Sequence, residues 1–239
     1  MKINWNYIKI PLLLVMVVGL FAFSSKKNNK RIVSIPTINF NGEDNLFITH
    51  DAVSKLLIHN RGGGQNVPKE AIDLNLLESA LNSNPMIKSA QVFVGVNGHL
   101  VAEVEQKKPI ARISNSVSFY IDDDGLYMPL SKNYAARVPL VTGNVSKTDL
   151  EIVYNMAVKI QNDEFLNTHV TSIHQYEDKS LSLRLRQCSF EVYVGSLAQL
   201  DKKVNNLKAF YKKAFKDKLL NNYSKVNLQF DSQVICTKS

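Results

Sequence analysis

Histidine, cysteine and clustered aspartate are the residues in this chain with most chemistry to offer, and their spacing argues against a reaction. His50 and His59 are nine apart in a segment with helical apolar spacing, which turns them to opposed faces. His169 and His174 are five apart in a segment that reads as a strand, again on opposite sides. The chain has no H-E-x-x-H and no cysteine pair at zinc spacing, so no metal ligands are expected. Asp122-Asp123-Asp124-Gly125 suggests calcium, but the alternating ligands and terminal Glu of an EF-hand are missing; a tight acidic turn is expected instead. Gly62-Gly63-Gly64 lacks the Lys-Ser/Thr of a phosphate loop, and Gly195-Ser196 is not a G-x-S-x-G elbow. No catalytic residue, cofactor or small-molecule substrate is expected.

Cys188 and Cys236 are the two cysteines, both on apparent strands. In an oxidising compartment they would close a loop whose bond stabilises by roughly 4 kcal/mol; two separate buried thiols are the alternative.

The elements that must hold these residues are of two kinds. Residues 32–40 read as an edge strand with one Pro. Thr49 caps a helix carrying Ala52, Val53, Leu56 and Leu57, and residues 61–65 end it as a loop. A second helix places Leu74, Leu77, Ala80 and Leu81 on one face and stops at Asn84-Pro85. A hairpin follows: Ala90, Val92 and Val94 alternate with Gln91, Phe93 and Gly95, Asn97-Gly98 makes a two-residue turn, and residues 100–105 return. The order is β-α-α-β-β.

The second half is strand-rich. Residues 119–121 and 126–130 read as a hairpin and 138–141 as a short strand. Ser146 or Thr148 caps a helix with Leu150, Val153, Tyr154, Ala157 and Ile160 inward. Strands are expected at 170–176, at Leu181, Leu183 and Leu185, and at Cys188, Phe190, Val192 and Val194. A long helix carries Leu197, Leu200, Val204, Leu207, Phe210, Tyr211, Ala214 and Phe215 along one inward stripe. The last strand has Val226, Leu228 and Phe230 on one face.

Charge and hydropathy place this body. Of 239 residues, 45% are hydrophobic and 21% charged, which excludes a largely disordered chain. The net charge of +8 is concentrated at the start, where Lys2, Lys9, Lys26, Lys27, Lys30 and Arg31 stand without an acid. The remaining 23 basic and 21 acidic residues nearly cancel, so nucleic acid is not the expected partner. Residues 10–23 (IPLLLVMVVGLFAF) carry no charge, and the extension back to Trp5 rises roughly 28 Å as a helix, close to a hydrocarbon core. A retained transmembrane anchor is expected; a signal peptide cleaved near Ala22-Phe23-Ser24 is the rival, and both export the rest. The positive charges flank both sides of the segment and mildly favour the opposite orientation.

Three stretches resemble the bacterial cell-division family FtsQ (DivIB). The first is Asn84-Pro85-Met86-Ile87-Lys88-Ser89-Ala90 with the later Gln106-Lys107-Lys108-Pro109-Ile110-Ala111-Arg112. The second is Tyr120-Ile121-Asp122 with Gly125 and Val138-Pro139-Leu140-Val141-Thr142-Gly143. The third is Val226-Asn227-Leu228-Gln229-Phe230-Asp231-Ser232. The resemblance covers nearly the whole chain. It implies an α+β protein with a single N-terminal transmembrane helix over residues 1–31, a β-α-α-β-β POTRA-like module over 32–108, and a strand-rich mixed β domain over 109–239 ending in an edge strand.

The resemblance also implies a function without a reaction: a single-pass scaffold of the cytoplasmic (inner) membrane at the division septum, with its bulk on the extracytoplasmic side. It implies bitopic partners like FtsB and FtsL. The last strand, residues Lys225, Val226, Asn227, Leu228, Gln229, Phe230, Asp231 and Ser232, would capture a partner by β-augmentation. The family often has Asp at the position of Asn227 and Arg at that of Gln229; both departures remove charge, so no ionic contact is expected from these two positions here. Whether Phe230 faces the partner or its own core stays open on alternation alone. The long helix carries seven Lys against two Asp between Asp201 and Lys218, which suits anionic headgroups, an acidic partner, or plain solvent. Another exported POTRA-bearing protein of outer-membrane assembly or secretion, and an exported hydrolase, are the competing readings.

Overall fold

The computed structural model describes residues 5–29, 36–42, 45–60, 72–95, 97–115, 117–230 and 233–239. The chain divides into two compact units, Met1–Gln106 and Lys107–Ser239.

The first unit opens with helix α1, Trp5–Asn29, which takes Pro11 in its second turn. Its described side chains, Lys9 and residues 11–26, are all exposed, Phe21 by 76%. Among the described residues no helix is long and apolar enough to cross a membrane. The described apolar run of residues 11–23 rises about 20 Å, against the ~30 Å of a hydrocarbon core. The expected transmembrane helix therefore has no counterpart among them. Residues 30–35 and 61–71, which include the glycine-rich loop, lie outside the described residues.

Strand β1 (Thr37–Asn41), helices α2 (His50–Asn60) and α3 (Leu74–Asn82), and strands β2 (Ile87–Val94) and β3 (Leu100–Gln106) follow. β3 is central, parallel to β1 and antiparallel to β2. Thr49 Oγ1 accepts from Ala52 N at 3.2 Å and starts α2; Asp73 does the same for α3 through Leu76 N. Val53, Leu57, Leu77 and Leu81 pack against Val92, Ala102 and Val104. The β2–β3 connection is five residues, since Val94 pairs with Leu100, rather than the expected two; Gly98 supplies the positive φ. The outer edge of β2 is covered by α3 side chains: Ala90 N donates to Asn82 Oδ1 and Val92 N to Glu78 Oε1, both at 2.8 Å. Such covering blocks further pairing.

The second unit is a nine-stranded sheet. Its strands are β4 (Pro109–Ser114), β5 (Ser118–Asp122), β6 (Tyr127–Met128), β7 (Leu140–Gly143), β8 (Val170–Gln175), β9 (Leu181–Leu185), β10 (Glu191–Gly195), β11 (Tyr223–Asn227) and β12 (Ile235–Lys238), in the spatial order β12-β11-β10-β9-β8-β7-β4-β5-β6. Helices α4 (Glu151–Asn162) and α6 (Leu200–Lys216) bury Val153, Met156, Ile160, Val204 and Leu207 against Ile113, Val141, Ile173, Leu183 and Val192. Gly143 is obligatory: its φ is +95°, and a Cβ would sit 2.1 Å from Gln175 O.

Several expectations are corrected here. The N-cap of α4 is Leu150, with no side-chain bond from Ser146 or Thr148. His169 ends a short helix, α5 (Glu164–His169), instead of lying in a strand. Phe215, expected on the inward stripe of α6, is 66% exposed.

Candidate partner-docking edge

Strand β12 forms one border of the large sheet, and the two-residue β6 forms the other. β11 runs parallel to β10, with Lys225, Val226 and Asn227 opposite Glu191, Val192 and Tyr193. On its other side β12 runs antiparallel, with Thr237, Cys236 and Ile235 opposite the same three residues. The strand carrying Lys225 to Asn227 is thus paired on both sides, which corrects the expectation that it is the edge. The strand expected around Cys236 is present as β12, but alternation along a sequence cannot show that it pairs outside β11.

The side chains separate cleanly. Val226 and Leu228 are buried in their own core, and Leu228 N donates to Tyr193 O at 2.9 Å. Beyond Asn227 the chain leaves the ladder: Gln229 N donates to Asn227 Oδ1 at 2.9 Å, closing an Asx turn. Phe230 then stands 44% exposed and Ile235 43% exposed. Asp231 and Ser232 lie outside the described residues.

The face of the sheet away from the helices is polar. Glu191 Oε1 accepts from Tyr176 Oη at 2.8 Å and from Ser182 Oγ at 2.5 Å. Burial pushes the Glu191 carboxyl up, but these hydrogen bonds and the charges of Lys225 and Arg184 outweigh it and hold it below the ordinary glutamate range. Lys225 Nζ lies 4.6 Å from the Tyr193 ring centroid. His174 and Thr142, opposite each other on β8 and β7, are joined at 3.0 Å. An open groove of about 890 Å³ runs beside them, lined by Asn144, Asp178 and Tyr193 among others. Sequence periodicity assigned these strands but gave no sign that Tyr176, Ser182 and Glu191 meet, because the meeting depends on register.

The other candidates do not assemble. Among the described residues no group of three or more His, Cys, Asp or Glu could hold a metal ion. His50 packs edge-on to Phe40, and His169 stacks on Phe165. In the acidic turn, Asp122 is fully buried: Oδ2 takes Lys107 Nζ at 2.7 Å and Oδ1 accepts from Asp124 N and Leu126 N. Cys188 and Cys236 are free thiols, pushed up by burial.

A family model described as a POTRA-like domain matches residues 38–105. A second, described as FtsQ/DivIB, C-terminal related, matches residues 108–237, more than half of the chain. The chain belongs to the FtsQ/DivIB family. No curated protein matches it. FtsQ/DivIB proteins are cell-division proteins associated with the septum and of a non-catalytic scaffold kind, acting through contacts with other division proteins. The FtsQ/DivIB match spans β4 through most of β12, so the open border described above belongs to the matched region.

Proposed function

We propose that this FtsQ/DivIB chain is a non-catalytic, membrane-tethered scaffold of the division machinery that captures an extended segment of a bitopic partner, of the FtsB and FtsL kind, along β12. The observation that carries this is the border itself: among the described residues no strand of the sheet lies outside β12, the opposite border, β6, is two residues long, and the border of β2 is covered by Asn82 and Glu78. An added strand would satisfy the outward N–H and C=O groups of β12, giving affinity, while Phe230 and Ile235 supply apolar contacts that select the partner. Lys225 to Asn227 support the border from behind rather than pairing with the partner directly.

The tether in this reading is α1. Its described side chains from Pro11 to Phe23 are apolar and exposed, and such a run favours a non-aqueous surrounding. The two units then stand on the extracytoplasmic side. A photo-crosslinking residue at Thr237 of the full chain in dividing cells is expected to trap a bitopic division protein. Crosslinks that arise from the β2 border but never from 235–238 would overturn the assignment. A reporter enzyme fused after Ser239 reads the topology independently.

A further inference from the structure

The C-terminal end of α6 carries a surface that partner capture on β12 does not use. Lys212, Lys213, Lys216 and Lys218 are exposed there around Phe215 and Leu219. Among the described residues, Lys159, Lys179 and Lys208 each have an aspartate partner, and none of these four does. The sole acid within the segment is the exposed Asp217. Phe215 is not loose: its ring stacks on Tyr211 at 6.2 Å and 12°, and Tyr211 is wedged edge-on against Phe165 and His169.

The backbone closes the helix at this surface. Leu219 N donates to Ala214 O and Lys218 N to Phe215 O, the paired bonds of a Schellman motif. Lys218 occupies its left-handed position with φ +57°, where glycine is strongly preferred. The motif ends α6 beside the four lysines, and Lys179, Gln187 and Gln199 adopt the same left-handed conformation elsewhere.

We propose that this tip is a membrane-surface contact: the four lysines gather anionic phospholipid headgroups, and Phe215 and Leu219 dip into the interface. The chemistry favours lipid over an acidic protein. All four cations are lysines, mobile point charges suited to a diffuse anionic sheet, and none is an arginine that would clasp a carboxylate in two bonds. One Phe and one Leu are far too little apolar area for a stable protein interface, but they suffice for a shallow wedge. A contact of this size is weak alone, so it rests on the tether by α1 to hold the tip near a bilayer.

The test uses the full chain in vesicles, with Phe215→Trp in a Trp5→Phe background, Trp5 being the one tryptophan. In vesicles containing brominated phosphatidylglycerol, the tryptophan is expected to shift to the blue and lose about half its emission or more. Both effects should vanish at about 0.5 M salt and in K212Q/K213Q/K216Q/K218Q. Carbonate washing reads the tether separately. A chain that resists the wash while its tryptophan stays in water overturns the tip and leaves the tether standing. Equal quenching in brominated phosphatidylcholine overturns the role of the lysines, and a shift seen only on adding polyglutamate overturns lipid in favour of an acidic protein. Quenching in a chain that washes off supports the tip and removes the tether.

Discussion

Asn227 of β11 lies opposite Ile235 of β12, and this pair places the open border of the sheet one strand further out than Lys225 to Asn227. Proline inserted at successive β12 positions separates the two sides of that strand, because alternate N–H groups point inward to β11 and outward to solvent. Cys236→Pro and Thr237→Pro should therefore differ. The one that removes an inward bond lowers stability; the other leaves the fold intact and weakens partner capture at least about tenfold, which is ~1.4 kcal/mol. Binding of the purified partner, with denaturation midpoints alongside, checks this. A folded pair of variants that both capture normally defeats strand addition.

Core and border predict opposite phenotypes within three residues. Leu228 is 2% exposed, so Leu228→Ala should cost about 2–4 kcal/mol of stability. Phe230→Ala should change stability by less than about 0.5 kcal/mol and yet reduce partner affinity. Chemical denaturation and a binding isotherm on both variants distinguish them. A large stability loss at Phe230 would mean that its ring is needed by its own fold.

Lys203 Nζ donates to Val194 O at 2.9 Å and to Ser196 O at 2.7 Å while buried between α6 and the end of β10. Lys203→Met keeps the stem but abandons two carbonyls. The expected loss is about 2–3 kcal/mol, seen as a lower denaturation midpoint with an unchanged slope. A change in slope instead would report an altered unfolded state rather than a lost anchor.

Asp163 makes two connections at once. Its Oδ1 accepts from Leu166 N at the start of α5, and its Oδ2 takes Lys208 Nζ of α6 at 2.6 Å. Burial pushes the carboxyl up, but Lys208 and the Leu166 N–H outweigh it and hold it below the ordinary aspartate range. Glu191 is likewise held low. A carboxylate held low in the folded state contributes stability above its unfolded value, near pH 4, and loses it as pH falls through the folded value. Acid should thus weaken the second unit progressively below about pH 4. Asp163→Asn should flatten part of that fall and Asp163→Ala should cost about 1–2 kcal/mol at neutral pH. An identical acid profile for Asp163→Asn would remove Asp163 from the account.

How much of this was legible in the residues follows from the reach of each signal. The helical spacing of Val53 and Leu57, the alternation at Leu181, Leu183 and Leu185, and the β-α-α-β-β order are local and appear in the structure. Helix α5 was missed because its six residues are too few for a period, although Asp163 is a capping residue in plain view. β4 was missed as a strand because Pro109 begins it, yet Ile110, Ala111 and Ile113 are all core. Phe215 satisfies the apolar period of α6, but the period cannot say that the core stops at Ala214, one residue earlier. The Glu191 cluster and the place of β12 depend on strand register, which only long-range pairing fixes.

Lys218 offers the sharpest separation of fold from use. A left-handed residue at the end of a Schellman motif costs about 1 kcal/mol more for lysine than for glycine. Lys218→Gly should consequently raise the stability of the second unit by about that amount, measured by denaturant midpoint. The same variant should bind anionic vesicles less well through the tip, since one of four charges is gone. Lys218→Ala separates the causes: it keeps the strain, loses the charge, and should weaken the lipid contact as much as Lys218→Gly with no gain in stability. If Lys218→Ala matched the unsubstituted chain on vesicles, the lysine would serve neither role, and the strain at φ +57° would have no functional explanation.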